Sequence, residues 1–513
     1  MQKKPKHWAY YASRAAGGRP AFAAAELAMK ETLRALLDCR AERFAKKPAF
    51  VYWRDRHSDT ASVTSEEFAG MVARLGDRFL AQGYRGRRIA ILGENSFEWA
   101  LAFFAVTASG NSAVLPDPHL RGAELGALLR SVGCDCLCFS ATYADVAEEL
   151  CAGGTLPCME LGYLYSAACR QDGGVERYGA LTPSPDDEAV VAFTSGTSGG
   201  SRGVVLSHRS IVSDVLSVNR AYASGERALQ LLPFFHMFGI LVLLGVFSQG
   251  GTLSIEDSLR YCAGDIERIG YDSLFVVPAM LPAVCQALER RAAAGAPLPG
   301  VLCGGAPAEE AWVRRLLQLG VPLYNGYGMT ECAPCIAIGP VQSAGDCRSA
   351  QALDVNEVSI AQPDRNGVGE ILVRGRNVMR GYCGRPGETR RAMRDGWFHT
   401  GDLGRLEADG RLTVLGRANT LLVLPNGEKL SPEAVERTVM GIAGVAECRL
   451  SLQGGVLTLE VYAPGADEAS VQEALRELNR SLPSPRRIMR IVLTGEPLAK
   501  SAIGKLIRNK EKE

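Results

Sequence analysis

Residues 194–203 read Thr194-Ser195-Gly196-Thr197-Ser198-Gly199-Gly200-Ser201-Arg202-Gly203: four glycines, three serines, two threonines and one arginine in ten positions. An apolar run, Ala189 to Phe193, precedes them and a second, Val204 to Leu206, follows. A glycine- and hydroxyl-rich turn between two strands offers backbone N–H groups and hydroxyls to a polyanion. Glycine permits the positive φ and close backbone approach that such a turn needs, and Arg202 adds a cation for phosphate oxygens. The chemistry implied is a phosphate grip. Three other readings fit parts of the same run. A P-loop requires G-x-x-x-x-G-K-[ST] opening a helix, whereas Arg202-Gly203 leads into the strand-forming Val204-Val205-Leu206. Gly196-Thr197-Ser198-Gly199-Gly200 satisfies G-x-S-x-G, the hydrolase nucleophile elbow, which should also enter a helix. A flexible hairpin loop without chemistry is the third.

The remaining segments decide among these readings. Pro233-Phe234-Phe235-His236-Met237-Phe238-Gly239, Gly304-Gly305-Ala306-Pro307, Asn325-Gly326-Tyr327-Gly328-Met329-Thr330-Glu331, Trp397-Phe398-His399-Thr400-Gly401-Asp402, Leu415-Gly416-Arg417 and Gly504-Lys505 follow one another along the chain. With the glycine-rich run they resemble, in order, the signatures of the adenylate-forming enzymes: acyl-CoA synthetases, peptide-synthetase adenylation domains and luciferases. The resemblance extends from about residue 30 to the C-terminus. It implies a large N-terminal α/β domain of layered sheets with a small β-barrel-like region, followed by a small mobile α+β C-terminal domain.

Adenylating a carboxylate requires a held triphosphate, a bound metal, a fixed ribose and neutralised charge at the α-phosphorus. The resemblance implies that Thr194, Ser195, Gly196, Thr197, Ser198, Gly199 and Arg202 grip the phosphates. It implies that Gly304, Ala306, Pro307, Asn325, Gly326, Tyr327 and Gly328 line the adenine side, with Tyr327 stacking on the base. Glu331 is the candidate ligand for Mg²⁺, since a hard cation takes carboxylate oxygen, and Thr330 beside it can bond the phosphate. Asp402 can accept both ribose hydroxyls, and Arg417 can hold ribose or phosphate. Lys505 is the family's late catalytic lysine, reaching the carboxylate and α-phosphate during adenylation, with Lys500 as a nearby rival. His236 corresponds to an aromatic gate beside the acyl tunnel and thiol entrance. Each has an ordinary reading too: a helix start for Thr330-Glu331, a β-turn for Asp402, a salt bridge for Arg417, core packing for Tyr327 and His236, a solvated turn for Lys505.

Two departures stand out. Most of the family has Pro-Lys where this chain has Ser201-Arg202, which keeps the charge on a bulkier, forked group. After Arg417 the family places a charged hinge residue; here stand Ala418, Asn419 and Thr420. The expected reaction takes ATP and a carboxylic acid to an acyl-adenylate, then to a thioester. Coenzyme A is the expected acceptor, because Leu422-Val423-Leu424-Pro425-Asn426-Gly427 through Pro432-Glu433 is most similar to long-chain acyl-CoA synthetases. The alternatives are loading of a separate acyl or peptidyl carrier protein and a nucleotide-binding homologue that has lost catalysis. An amino-acid substrate would favour an Asp among Phe235–Phe238; there is none, which points to a fatty or other hydrophobic acid. The small Cys332, Ala333 and Cys335 point to a bulky one.

The bulk composition is consistent with this. At 513 residues the chain exceeds one ordinary domain. Lys+Arg 57 against Asp+Glu 56 gives no charge asymmetry suited to nucleic acid. The basic first fourteen residues lack the apolar segment of a signal peptide. The longest apolar stretch, Gly239 to Phe247, is far short of the roughly 20 residues of a spanning helix. A cytoplasmic protein is therefore expected. Its fifteen cysteines read as buried thiols rather than a disulfide framework, with Cys134, Cys136 and Cys138 on one strand face. No carrier domain is read in the chain, which suits a stand-alone ligase.

The elements that must position these groups alternate in type. A helix is expected over Phe22–Leu37, strands at Phe50–Tyr52 and Arg88–Leu92, and an amphipathic helix over Phe68–Gln82 with Met71, Leu75 and Leu80 inward. Asn95 is expected to cap a helix through Ala108; a strand at Ala113–Leu115, a helix after Gly122 and a strand at Cys134–Phe139 follow. Such alternation argues for layered, largely parallel sheets. From 358 to 416 short strands dominate, closing a domain of residues 1–416. Residues 417–513 read as a separate unit with a helix from Ser431, strands over 446–462, a helix over 468–481 and a strand over 490–493.

Overall fold

The computed structural model describes residues 31–55, 59–151, 156–170, 174–194, 201–256, 259–417, 422–424, 429–430, 432–453, 456–482 and 486–498. These divide into two compact units. The first holds the chain up to Ser359 with Leu372–His399 and Glu407–Leu412; the second holds Ile360–Ile371, Thr400–Leu406 and the chain from Thr413. The architecture is α/β, with large sheets and covering helices.

In the first unit, one sheet runs in the order Gly381–Tyr382, Arg202–Ser207, Glu188–Thr194, Ser112–Leu115, Arg88–Leu92, Cys136–Phe139, Cys158–Glu160. From Glu188–Thr194 onward the neighbours are parallel; the Arg202–Ser207 strand is antiparallel to both its neighbours. These strands are continuous apolar runs because helices cover the sheet. A second sheet includes, in order, Ser349–Ala352, Cys335–Pro340, Leu323–Gly328, Gly300–Gly304, Ser273–Val276, Arg227–Gln230, Thr252–Ile255, Pro48–Asp55 and Asp59–Thr64. Its central strands, Leu323–Gly328 to Pro48–Asp55, are parallel.

The helix Ser65–Ala81 starts on a capping box, Thr64 with Glu67, which satisfies two otherwise orphaned N–H groups. Met71 and Leu75 are buried as expected, but Phe79 rather than Leu80 completes the inner stripe. The helix Phe97–Ala108 is capped by Ser96, whose hydroxyl accepts from Trp99 N at 3.1 Å. Asn95 is not the cap: it is engaged far along the chain, as described below. Phe50, Phe68, Phe97, Phe104 and Phe247 pack with ring centroids 4.7–5.9 Å apart in edge, tilted and stacked pairs, the geometry that aromatic quadrupoles favour. The expected first helix begins at Leu33 in the described residues and ends at Arg43; positions 22–30 lie outside them. Cys136 and Cys138 are buried on their strand, whereas Cys134 precedes it and is half-buried. Thirteen cysteines are free thiols, and Cys151 is bonded to Cys158, seven residues on, with their Cα atoms 6.7 Å apart. One short-range pair is not a disulfide framework, and most of the cysteines are thiols, as expected.

The second unit has its own core. The strands Glu447–Gln453, Val456–Tyr462 and Arg490–Thr494 form a sheet, antiparallel then parallel. With the helices Pro432–Met440 and Glu468–Ser481 it buries Val435, Val439, Leu450, Leu459, Val461 and Leu475. The helix over 468–481 has the bounds expected from sequence, starting on Asp467, whose carboxylate accepts from Ser470 N at 3.0 Å. No described helix is long and apolar enough to cross a membrane.

Candidate active site

The strands Glu188–Thr194 and Arg202–Ser207 pair antiparallel up to the register Thr194↔Arg202. The glycine-rich run therefore bridges the end of a hairpin; its positions 195–200, including Ser195, Gly196, Thr197, Ser198 and Gly199, lie outside the described residues. At the two shoulders, Thr194 Oγ1 and Arg202 Nε are buried without a hydrogen-bond partner among the described residues. Buried polar atoms are normally satisfied, so two orphans flanking this run fit groups that meet a ligand. Ser201 Oγ donates to Thr194 O at 3.1 Å and closes the hairpin neck.

Arg202 lies over the ring of Tyr382, with its guanidinium carbon 4.6 Å from the centroid, and one guanidinium nitrogen is 3.7 Å from Glu388. The Tyr382 hydroxyl donates to Glu331 Oε1 at 2.9 Å. Both residues are only 6% exposed. Burial first, then the Glu331 charge, push the phenol pKa up, so Tyr382 stays protonated and remains a donor. Among the described residues the Tyr382 hydroxyl is the side-chain donor to this buried carboxylate, and buried carboxylate oxygen suits a hard cation. Thr330 and Glu331 occupy a short 3-10 turn, Thr330–Cys332.

That turn is clamped from behind. Asn377 Nδ2 donates to Asp214 Oδ1, Cys332 O and Cys335 O, each at 3.0 Å, and Cys335 N donates to Asp214 Oδ2 at 3.2 Å. Met379 N donates to Glu331 O at 2.8 Å. Burial drives the Asp214 carboxyl well above the usual range, against the two donors. Cys332, Ala333 and Cys335 are buried within this packing.

The other expected residues are dispersed. Tyr327 and Gly328 end the strand Leu323–Gly328 beside Ala337 and Cys335, and a Cβ on Gly328 would strike Pro334 O. Gly326 is likewise tight against Leu302. Asn325 is buried and its amide donates to Ser349 O at 3.5 Å. Gly304 ends its strand with Phe238 and Gly326 O against the position of a Cβ; Gly305 has φ +85°. Ala306 and Pro307 are exposed. His236 stands at the N-terminus of the buried helix Met237–Ser248, its ring 4.2 Å from Phe235. The preceding turn is pinned by Asn95, which accepts from Phe234 N at 2.8 Å and donates to Leu232 O at 3.0 Å. Gln230 also donates to Leu232 O, at 2.6 Å.

In the second unit, Asp402 and Arg417 pair with each other at 2.8 Å. Thr400 organises them: its hydroxyl donates to Ile371 O at 2.8 Å and accepts from Asp402 N at 3.0 Å, while its carbonyl accepts from Arg417 at 3.3 Å. Gly401 supplies the required φ of +70°. Lys505, Lys500 and the positions 418–420 lie outside the described residues. Sequence reasoning missed Tyr382, Asn377, Asp214, Asn95 and Gln230.

The fold is that of the adenylate-forming enzymes. The structure superposes on o-succinylbenzoate CoA synthetase of Bacillus subtilis, solved with its acyl-adenylate intermediate, with a TM-score of 0.80 and 24% identity over 93% of this chain and 98% of that one. The family model for the AMP-binding enzyme matches residues 37–383. A feruloyl-CoA synthase of Amycolatopsis sp is 32% identical over 408 residues, 77% of this chain and 81% of its own length. A long-chain-fatty-acid–CoA ligase of Escherichia coli O157:H7 is 25% identical over 525 residues, 91% of each. The chain belongs to the AMP-binding enzyme family, as an AMP-forming acid–thiol ligase.

Proposed function

We propose that this protein activates a fatty or other hydrophobic carboxylic acid with ATP, giving an acyl-adenylate and pyrophosphate, and then transfers the acyl group to the thiol of coenzyme A. The observation that carries the reading is the pair of buried groups without a partner among the described residues at the hairpin end, Thr194 Oγ1 and Arg202 Nε, together with the buried Glu331 carboxylate held by Tyr382. Two donors and an acceptor for a cation are what a metal–triphosphate requires.

In this reading the hairpin end takes the phosphates, Arg202 neutralises their charge, and Thr330 bonds a phosphate oxygen. Glu331 would hold Mg²⁺, which supplies further charge neutralisation when bound. Tyr327 stacks on adenine, flanked by Gly304, Ala306, Pro307, Asn325 and Gly326. Asp402, freed in part from Arg417, accepts the ribose hydroxyls. Lys505 supplies a cation to the reacting carboxylate and α-phosphate, with 417–513 as the mobile C-terminal domain. His236 and Phe235 border the acid and thiol. The named activities of the feruloyl-CoA synthase and the long-chain ligase support aryl and long-chain acids as the two substrate classes to try first.

The test is ATP–pyrophosphate exchange across fatty, aryl and steroid acids, followed by coenzyme A addition. Exchange with one class, and thioester formation on adding coenzyme A, support the reading. Exchange without thioester would transfer the acceptor to a carrier protein. ATP binding with no exchange for any acid would leave a nucleotide-binding homologue without catalysis.

A further inference from the structure

We propose that Tyr382 is a positioning residue that couples the phosphate-binding cation to the metal-binding carboxylate. The inference rests on the reading of Arg202 and Glu331 given above. Tyr382 lies directly opposite Val204 in the antiparallel register of Gly381–Tyr382 with Arg202–Ser207. Arg202 is two residues before Val204, so its side chain projects from the same face of the sheet. This places the guanidinium diagonally over the phenol ring, at 4.6 Å, within cation–π range. The far end of the same ring carries the hydroxyl that donates to Glu331 Oε1.

The ring is itself immobilised. Tyr382 N donates to Thr389 Oγ1 at 3.0 Å, Arg380 N to Val205 O at 2.9 Å, and Cys383 N to Gly203 O at 2.8 Å. Gly381, at φ +147°, admits Thr389 where a Cβ would collide with its methyl group. One rigid side chain thereby sets two groups of opposite charge. A guanidinium held over the ring is limited in the positions its N–H groups can take, and its Nε is without a partner among the described residues. A carboxylate with Oε1 committed to a phenol is fixed in rotation, as partners behind a metal ligand generally fix it. An arginine at 202 suits this arrangement better than a lysine, because a planar cation lies flat on the ring.

Tyr382→Phe separates the two functions, since it removes the hydroxyl and keeps the ring; Tyr382→Leu removes both. Two binding measurements on the full chain avoid reliance on turnover. ATP affinity is measured by calorimetry with chelator present, and Mn²⁺ affinity of the ATP-saturated protein by electron paramagnetic resonance. Tyr382→Phe should weaken Mn²⁺ about 10- to 100-fold and leave chelated ATP binding within about 2-fold. Tyr382→Leu should also weaken chelated ATP binding, about 2- to 30-fold. Circular dichroism and thermal midpoint verify that each variant folds. Unchanged or tighter Mn²⁺ binding in Tyr382→Phe overturns the proposal. Absence of any ATP or Mn²⁺ binding by the parent protein overturns the functional reading beneath it, and is seen before either variant is made.

Discussion

Replacing Asn377 with leucine tests whether the clamp behind Thr330–Glu331 is structural support for the site. Asn377 is fully buried, and leucine nearly matches its shape without its polar atoms. The change strands two acceptors, Cys332 O and Asp214 Oδ1, each bonded by Asn377 at 3.0 Å. Cys335 O keeps a partner, Asn356 Nδ2 at 3.3 Å. Each stranded buried acceptor costs about 1–3 kcal/mol, and removing Asn377 Oδ1, itself buried without a partner, returns about 1 kcal/mol. The net expectation is a loss of about 3 kcal/mol, or roughly 3–4 °C in thermal midpoint for a unit of this size. Urea denaturation and differential scanning measure it. Because the clamp carries Glu331, the Michaelis constant for MgATP should rise more than the turnover number falls. Asp214→Asn is the companion: both carboxyl oxygens accept, from Asn377 Nδ2 and Cys335 N, so the amide turns its NH2 on one of these donors and should cost about 1–3 kcal/mol. An Asn377→Leu protein within 1 kcal/mol of the parent, with unaltered MgATP affinity, would refute the clamp.

Three further outcomes are expected. His208 is fully buried with its Nδ1 accepting from Leu33 N at 3.2 Å, and burial lowers its pKa from 6.5 to about 4. The unfolded chain then binds the extra proton between those values, so stability should fall by about 2 kcal/mol from pH 7 to pH 5, a slope that His208→Gln should flatten in urea titrations. Lys505→Ala should lower ATP–pyrophosphate exchange by about 10²-fold or more while ATP still binds; exchange at the parental rate would remove Lys505 from the chemistry. Asp402→Asn, which gives up the charge that Arg417 pairs with at 2.8 Å, should raise the Michaelis constant for ATP about 10- to 100-fold in steady-state exchange, with a smaller change in turnover number.

What was legible in the sequence was local. The strands around 194–203, the helix over 468–481 and the sheet from Ser112 to Phe139 follow from apolar runs, caps and turns that lie within a few residues of each other. Asn95 shows the limit. Asn95 and Ser96 are both good caps, and only the tertiary structure shows that Asn95 bonds Leu232 and Phe234, 137 and 139 residues away. Asp214 and Asn377 are 163 residues apart, and neither sits in a recognisable pattern. Glu331 was found through its motif, whereas its partner Tyr382, 51 residues on, required the register of an edge strand only two residues long. Leu80 yielded to Phe79 because one step along a helix turns a side chain by about 100°.

The same contrast bears on whether Arg202, in place of the family's lysine, marks a lapsed site. Local rules are normally obeyed across a fold, and violations concentrate where function imposes them. Among the described residues nearby, Ser201 closes the hairpin, Ser207 and Ser210 cap a helix reciprocally, and Asn377 Nδ2 reaches three acceptors. Thr194 Oγ1, Arg202 Nε and, behind the turn, Asn377 Oδ1 are buried without a partner among the described residues, and Glu331 is bonded by the Tyr382 hydroxyl. Burying a carboxylate is a cost unless it is paired and hydrogen-bonded, and among the described residues the side-chain donor to Glu331 is the Tyr382 hydroxyl. A carboxylate and an arginine that meet the two ends of one phenol are what the proposed anion-and-cation site requires. The substitution at 202 therefore reads as a different way of aiming the same charge, with the ring of Tyr382 as the support.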